Sequence, residues 1–361
     1  FAAKFYKGKV YVGVVCTAEN SGSVNDMFAY VYTFDVQTNT FNATPVFSMP
    51  LNYPKGKVHT SETPDNWQPW ISNFSDMYLG GTVNGALRTM QPQAILSDID
   101  FLNNGDMILG LMDRAGHQLG YRNRSTVNGS TQLYSGYIGG DILRVGLDDA
   151  NNYVLENNGT ATSGSISITG CGDGNGQGPG GGEFYCEERY SNIHQETYMG
   201  SSLFLPQQNE ILTTQMDPLA VWTGGFTWFN KSNGSVVKKY EIYSSTDDTG
   251  ATFGKANGLG TIEVGCVPAP LEIGNYVWLD TNSNGIQDPG ETGTNGITIQ
   301  LYQGNTLVGT TTTANGGQWY FNDSNVTGGL QSNTGYTIRI LNSEFPAGLT
   351  LTTGNADGSA N

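Results

Sequence analysis

The residues best placed to do chemistry in this chain are the twelve from Asp280 to Glu291, DTNSNGIQDPGE. Asp280, Asn282 and Asn284 stand at positions 1, 3 and 5, Gly285 at 6, Ile286 at 7, Asp288 at 9 and Glu291 at 12. That is the spacing of a calcium loop of the EF-hand type. A hard Ca2+ ion takes about 6 to 8 oxygens. Alternating side chains converge on one centre, Gly285 permits the sharp turn, Ile286 offers its carbonyl, and Glu291 can bind through both carboxylate oxygens. The alternative is a polar hairpin loop, because Asp, Asn and Gly are good turn formers. The flanking segments, NYVWLD and GITIQLY, read as strands. The loop therefore belongs to a β domain and cannot open a pair of helices. Its expected role is structural, with the metal tying two strands together.

A second group of polar residues is scattered along the first two thirds of the chain: Asp98, Asp100, Asp113, Arg114, His117, Asp141, His194, Glu196 and Asp217. Asp113, His117, His194 and Glu196 are the candidates for a ligand or acid–base site there. The competing reading is that such residues cap strands and bond to nearby backbone groups. No nucleophile and base are paired by spacing, and no elbow surrounds a G-x-S-x-G serine. The Gly-rich run CGDGNGQGPGGGEF lacks the Lys and following helix of a phosphate-binding loop. Only three His residues are present, so a His-rich zinc site has little material. Cys16, Cys171, Cys186 and Cys266 contain no C-x-x-C pair. Two disulfides are allowed, and Cys171 with Cys186 is the expected one, stapling a short, flexible Gly-rich loop.

The elements that must carry these residues read as strands. FYKGKVYVGVV from Phe5, DFLNNGDMILGLMD from Asp100 and FLPQQNEILTTQMD from Phe204 each read as strand, polar turn, strand, with Gly8, Gly105 and Asn209 at equivalent turn positions. A second hairpin follows each, from Ala29, Gly140 and Phe226. Four strands per unit, repeated without a helical stripe, is the pattern of a β-propeller. The copies lie roughly twice the ~40 to 45 residues of an ordinary blade apart, which points to loop-like insertions over about 45–90 and 157–192. Closing a ring takes ~4 to 8 blades, so further blades are expected before Phe1. After Cys266 the run VPAPLE reads as a linker over 267–271. Beyond it there is no Lys and a single Arg, Arg339, and short alternating strands point to an all-β sandwich over 272–361 whose last strands are expected past Asn361.

Composition narrows the function classes. The chain has 361 residues, 16 Lys plus Arg, 32 Asp plus Glu and a formal charge of −16. Clustered cations for a phosphate backbone are lacking, so no nucleic-acid partner is expected. No stretch approaches ~18 uninterrupted apolar residues, so no membrane span is expected. There is no signal-peptide pattern at Phe1, which reads as an internal start.

IGNYVWLDTNSNGIQDPGETGTNGITIQLY resembles the calcium-binding SdrD B-like domain of Gram-positive serine-aspartate repeat adhesins, among the collagen-adhesin B-type, immunoglobulin-like sandwiches. The resemblance covers Leu271 to Asn361. It implies an extracellular stalk module made rigid by Ca2+, with further ligands near Asn355 and Asp357. Many collagen-adhesin B-type domains carry a Lys–Asn isopeptide crosslink, which cannot form within this segment because it has no Lys. The preceding region, Phe1 to Cys266, with SDIDFLNNGDMILGLMDRAGHQLG, GGDILRV and HQETYMGS, is similar to the propeller-like domain of large bacterial surface proteins. Together these imply a non-catalytic, extracellular protein of the bacterial cell surface, acting in adhesion or assembly through other surface proteins, copies of itself or glycans. Two alternatives are a propeller hydrolase or glycan-binding head with the sandwich as spacer, and a subunit of an extracellular filament.

Overall fold

The computed structural model describes residues 2–59, 65–191, 193–244, 258–264, 271–331, 334–346 and 348–352. Cys266, residues 267–270 of the expected linker, Asn355 and Asp357 lie outside them. The chain is all-β and divides into two compact units, Phe1–Val264 and Gly265–Asn361. Among the described residues no helix is long and apolar enough to cross a membrane.

In the first unit β1 (Ala3–Tyr6), β2 (Lys9–Cys16), β3 (Phe28–Asp35) and β4 (Thr40–Phe41) form an antiparallel meander, with β5 (Phe47–Pro50) pairing the other end of β3. Lys7 and Gly8 both take positive φ, the turn whose twist suits a two-residue hairpin. β6 (Leu79–Val83) and β7 (Ala86–Thr89) make a hairpin around Asn84–Gly85. A second meander is built from β8 (Ala94–Phe101), β9 (Met107–Asp113), β12 (Asp141–Leu147) and β13 (Tyr153–Leu155). Between its strands lie the helix α1 (Arg114–Leu119) and β10 (Asn123–Arg124) and β11 (Leu133–Gly136), and β11 pairs with β7 in parallel. A hairpin of β14 (Thr160–Ser163) and β15 (Ile166–Thr169) precedes the third meander, β16 (Tyr198–Leu205), β17 (Glu210–Met216), β18 (Thr223–Asn230) and β19 (Val236–Ser244).

All six expected hairpins are present. The two insertions differ from expectation, because they contain strands of their own rather than loops alone. In the first unit the described residues hold a five-stranded sheet, two four-stranded meanders, a mixed four-stranded sheet and the β14–β15 hairpin, and a closed ring is not among what they show.

The second meander is buried on both faces. Leu96, Ile99, Leu109, Leu111 and Val145 join Val31 and Met49 of the first sheet, and Leu51 just after it, in one core. Ile108 and Ile142 point the other way, into a core with Tyr198, Phe204, Ile211 and Phe229 of the third sheet. Double burial explains why β9, MILGLMD, is almost continuously apolar instead of alternating. Each fully buried Leu or Ile contributes about 1.5 to 3 kcal/mol to this stack. Polar stitches align it. Asp98 accepts from the Ser202 N–H at 2.6 Å and Asp100 from the Phe204 N–H at 2.6 Å, tying β8 to the backbone of β16. The sheets also approach closely at Gly110, where a Cβ would lie 1.9 Å from the Tyr198 Oη.

Cys171 and Cys186 are joined by a disulfide, with Cα atoms 5.3 Å apart. Cys16 is an exposed free thiol. The stapled segment is not the flexible loop expected from its glycines: Phe184 and Tyr185 are fully buried in the core between the second and third meanders. Two adjacent aromatics supply the apolar area that the glycines lack.

In the second unit β20 (Ile273–Tyr276) pairs with β23 (Gln318–Phe321), and β21 (Thr298–Gln303) pairs with β22 (Thr306–Thr312) and β24 (Tyr336–Arg339). The two sheets share one core of Ile297, Ile299, Leu301, Trp319, Phe321, Val326 and Leu330.

Candidate functional site

The loop Asp280–Glu291 of the second unit follows β20 and ends before β21. Its neck is closed by backbone bonds, Leu279 N–H to Thr292 O at 2.9 Å and Thr294 N–H to Val277 O at 2.8 Å. Gly285 has φ of +75°, a left-handed conformation that glycine adopts without cost. Asp280 at the first position accepts from the Asn284 N–H at 3.1 Å and the Gly285 N–H at 2.7 Å, and also from the Thr352 hydroxyl. The Thr352 hydroxyl is the largest influence holding the Asp280 carboxyl below its ordinary range, and the two backbone donors act in the same sense.

The remaining candidate ligands gather on the same loop. Asn282 and Asn284 both donate through Nδ2 to Asp288 Oδ2, at 2.8 and 2.7 Å. Glu291 accepts from the Asp288 N–H at 3.1 Å and from the Thr281 N–H at 2.8 Å. Asp280, Asn282, Asn284, Asp288 and Glu291 are thus drawn together by hydrogen bonds within one turn of chain, with the Ile286 carbonyl between them in sequence. The donor set is all oxygen with three carboxylates, which suits a hard divalent cation and not a soft one.

Of the four candidates in the first unit, Asp113 and His194 bond to backbone groups. Asp113 is the N-cap of α1, accepting from Ala115 and Gly116 N–H at 3.0 and 3.4 Å and from the Gln93 N–H at 3.0 Å. Burial pushes its carboxyl up to about 7 against the pull of those donors. His117 sits in the last turn of α1. His194 is buried, its Nδ1 2.7 Å from the Val58 carbonyl and its Nε2 3.6 Å from Asp217, with the His59 and Tyr137 rings packed against it. Glu196 is buried beside Gly56. Asp113 and His194 thereby do the capping and backbone-bonding work that the competing reading assigns to them. Glu188, fully buried near Glu196, is a residue that sequence reasoning does not single out. Its signal was a pair of acids, Glu187–Glu188, following Cys186 at the end of an apolar aromatic run.

Comparison with known proteins places both units together in longer chains. Colossin-A of Dictyostelium discoideum is 34% identical over 321 residues, covering 85% of this chain and 2% of the relative. Colossin-C of the same organism is 27% identical over 372 aligned residues, 99% of this chain and 33% of the relative. Serine-aspartate repeat-containing protein D of Staphylococcus aureus (strain Newman) is 36% identical over 116 residues, 31% of this chain and 8% of the relative. The chain therefore spans between 2% and a third of the length of these curated relatives. Residues 271–361 match the SdrD B-like domain family.

Proposed function

We propose that this chain is a segment of an extracellular surface protein in which a propeller-like first unit is followed in sequence by a stalk module that calcium makes rigid. The observation that carries the reading is the convergence of Asp280, Asn282, Asn284, Asp288 and Glu291 in one oxygen-rich loop, with the Ile286 carbonyl as a further donor. Calcium bound there would fasten the strand ending at Tyr276 to the strand beginning at Thr298. In support, the matches to colossin-A and colossin-C extend through both units, so the pairing of head and module recurs in long proteins.

Three blade-like meanders stacked through their faces support the propeller-like reading of the head. The proposed role is non-catalytic, in adhesion or assembly, with other surface proteins, copies of the chain or glycans as partners. The staphylococcal relative favours a bacterial cell surface, while the longer matches are to proteins of Dictyostelium. The test is thermal unfolding of the full chain with Ca2+ and with EDTA. Chelation should lower the transition of the second unit in the parent but not in Asp280→Ala/Glu291→Ala. A parent melt that EDTA leaves unchanged overturns the calcium reading.

A further inference from the structure

Inside the first unit three carboxylates meet with no counter-charge of equal number. Asp141 opens β12, Glu188 lies in the turn after the disulfide, and Glu196 precedes β16. One carboxylate oxygen from each lies within 4.8 Å of the others, and all three residues are buried. The chain builds this meeting point deliberately. The Thr197 N–H and hydroxyl both donate to the Glu188 carbonyl, at 2.9 and 2.8 Å, fixing the Glu188 turn beside Glu196. The Ile142 N–H donates to Glu188 Oε1 at 3.4 Å, and the Tyr53 hydroxyl donates to Asp141. Gly56, at φ +106°, leaves the space that Glu196 fills, since a Cβ there would stand 2.1 Å from Glu196 Oε1.

The second observation is what these oxygens lack. Glu196 is 0% exposed, and neither of its oxygens has a hydrogen-bond partner. Glu188 Oε2 and Glu183 Oε2 are buried and unpartnered too. A buried acceptor left unmade is costly, and a buried ionised carboxylate far more so. Lys55 is the buried cation nearby, and its Nζ lies 3.4 Å from the Gly56 carbonyl and over the Trp67 ring. One ammonium cannot balance four buried acids. A proton shared between Glu188 and Glu196 would satisfy one contact and leave the other orphaned oxygens as they are.

We propose that Asp141, Glu188 and Glu196 hold a divalent cation, Ca2+ by its chemistry, as an internal structural site of the first unit. The donors are oxygens alone, which excludes a preference for soft metals. All three carboxylates belong to buried residues, and Ca2+, with its variable 6 to 8 oxygens, adapts to protein carboxylates more readily than Mg2+, which keeps several waters and demands an octahedron. The ion ties the insertion carrying Gly56, the disulfide segment and the start of β12 into one knot.

The test uses the full chain with the exposed loop disabled by Asp280→Ala/Glu291→Ala, refolded in Ca2+, desalted and assayed for bound metal by mass spectrometry. One equivalent of Ca2+ per chain is expected, falling to none when Glu196→Gln is added. No bound metal in the loop-disabled chain, or an equivalent that survives Glu196→Gln, overturns the site. If Glu196→Gln does not fold, Tb3+ replaces Ca2+ in the loop-disabled chain. Trp67, which donates to Tyr53 at 3.1 Å, lies within reach to sensitise Tb3+ bound at Asp141. Emission under Trp excitation is expected to drop at least several-fold in Trp67→Phe. Absence of sensitised Tb3+ emission, or emission unchanged in Trp67→Phe, overturns the proposal.

Discussion

The stacking of the second and third meanders can be tested at a single methyl group. At Gly110 a Cβ would stand 1.9 Å from Tyr198 Oη, 2.6 Å from Cζ and 2.9 Å from Cε1. These separations are all shorter than carbon and oxygen tolerate, and Tyr198 is itself fully buried in the core between the sheets. Gly110→Ala must therefore push the ring or the strand. Inserting a methyl into a packed core typically costs about 1 to 3 kcal/mol. For a unit of this size each kcal/mol lowers Tm by about 2 to 4 °C. The expected fall is thus about 2 to 12 °C, read by circular dichroism on the full chain. Tyr198→Phe removes the nearest obstructing atom, so Gly110→Ala should cost about 1 kcal/mol less in that background, a coupling that neighbours in contact show. Denaturant melts of the four proteins complete the cycle. Additive costs, or a Gly110→Ala chain as stable as the parent, would refute the stacked arrangement of these sheets.

Two further outcomes follow from the first unit. Cys171→Ser/Cys186→Ser should lower stability by about 3 kcal/mol, the loop-closure value for ~15 residues, and reductant should reproduce the loss in the parent while leaving the double variant unchanged in thermal melts. Asp113 and Asp98 have carboxyls pushed up by burial to about 7 and about 6. A raised carboxyl means the folded state holds its proton where the unfolded state, near 4, has lost it. Stability from these groups is therefore full below about pH 4 and lost as pH rises through 6 to 7. Asp113→Asn keeps the cap acceptor and should flatten that part of the Tm-against-pH curve, and an unchanged curve would show that Asp113 does not titrate there.

The parts of this molecule that could be read from sequence are those whose determinants are local. Gly8 and Asn209 mark hairpins because positive φ is needed at those positions and few residues supply it. The loop from Asp280 to Glu291 is legible because its ligands alternate along one short stretch of backbone. Glu188 and Glu196 are not legible in the same way. They meet Asp141 only after residues 47 and 55 positions apart in sequence are folded together, and a Glu in such a string looks like any solvated acid. The buried aromatics Phe184 and Tyr185 were hidden by the glycines around them. The strands of the first insertion were announced only by Asn84–Gly85, too brief a signal beside the Pro, Ser and Asn that surround it.

The parallel pairing of β7 with β11 has a kinetic consequence. The chain between them, from Met90 to Gln132, holds the β8–β9 hairpin and α1, so those two strands cannot align until that intervening piece has collapsed and brought its ends together. Contacts of such separation carry the loop-closure entropy of everything they enclose and form slowly. Pairing of β7 with β11 is therefore expected to follow closure of that hairpin and helix, and the β7 edge stays open until β11 arrives.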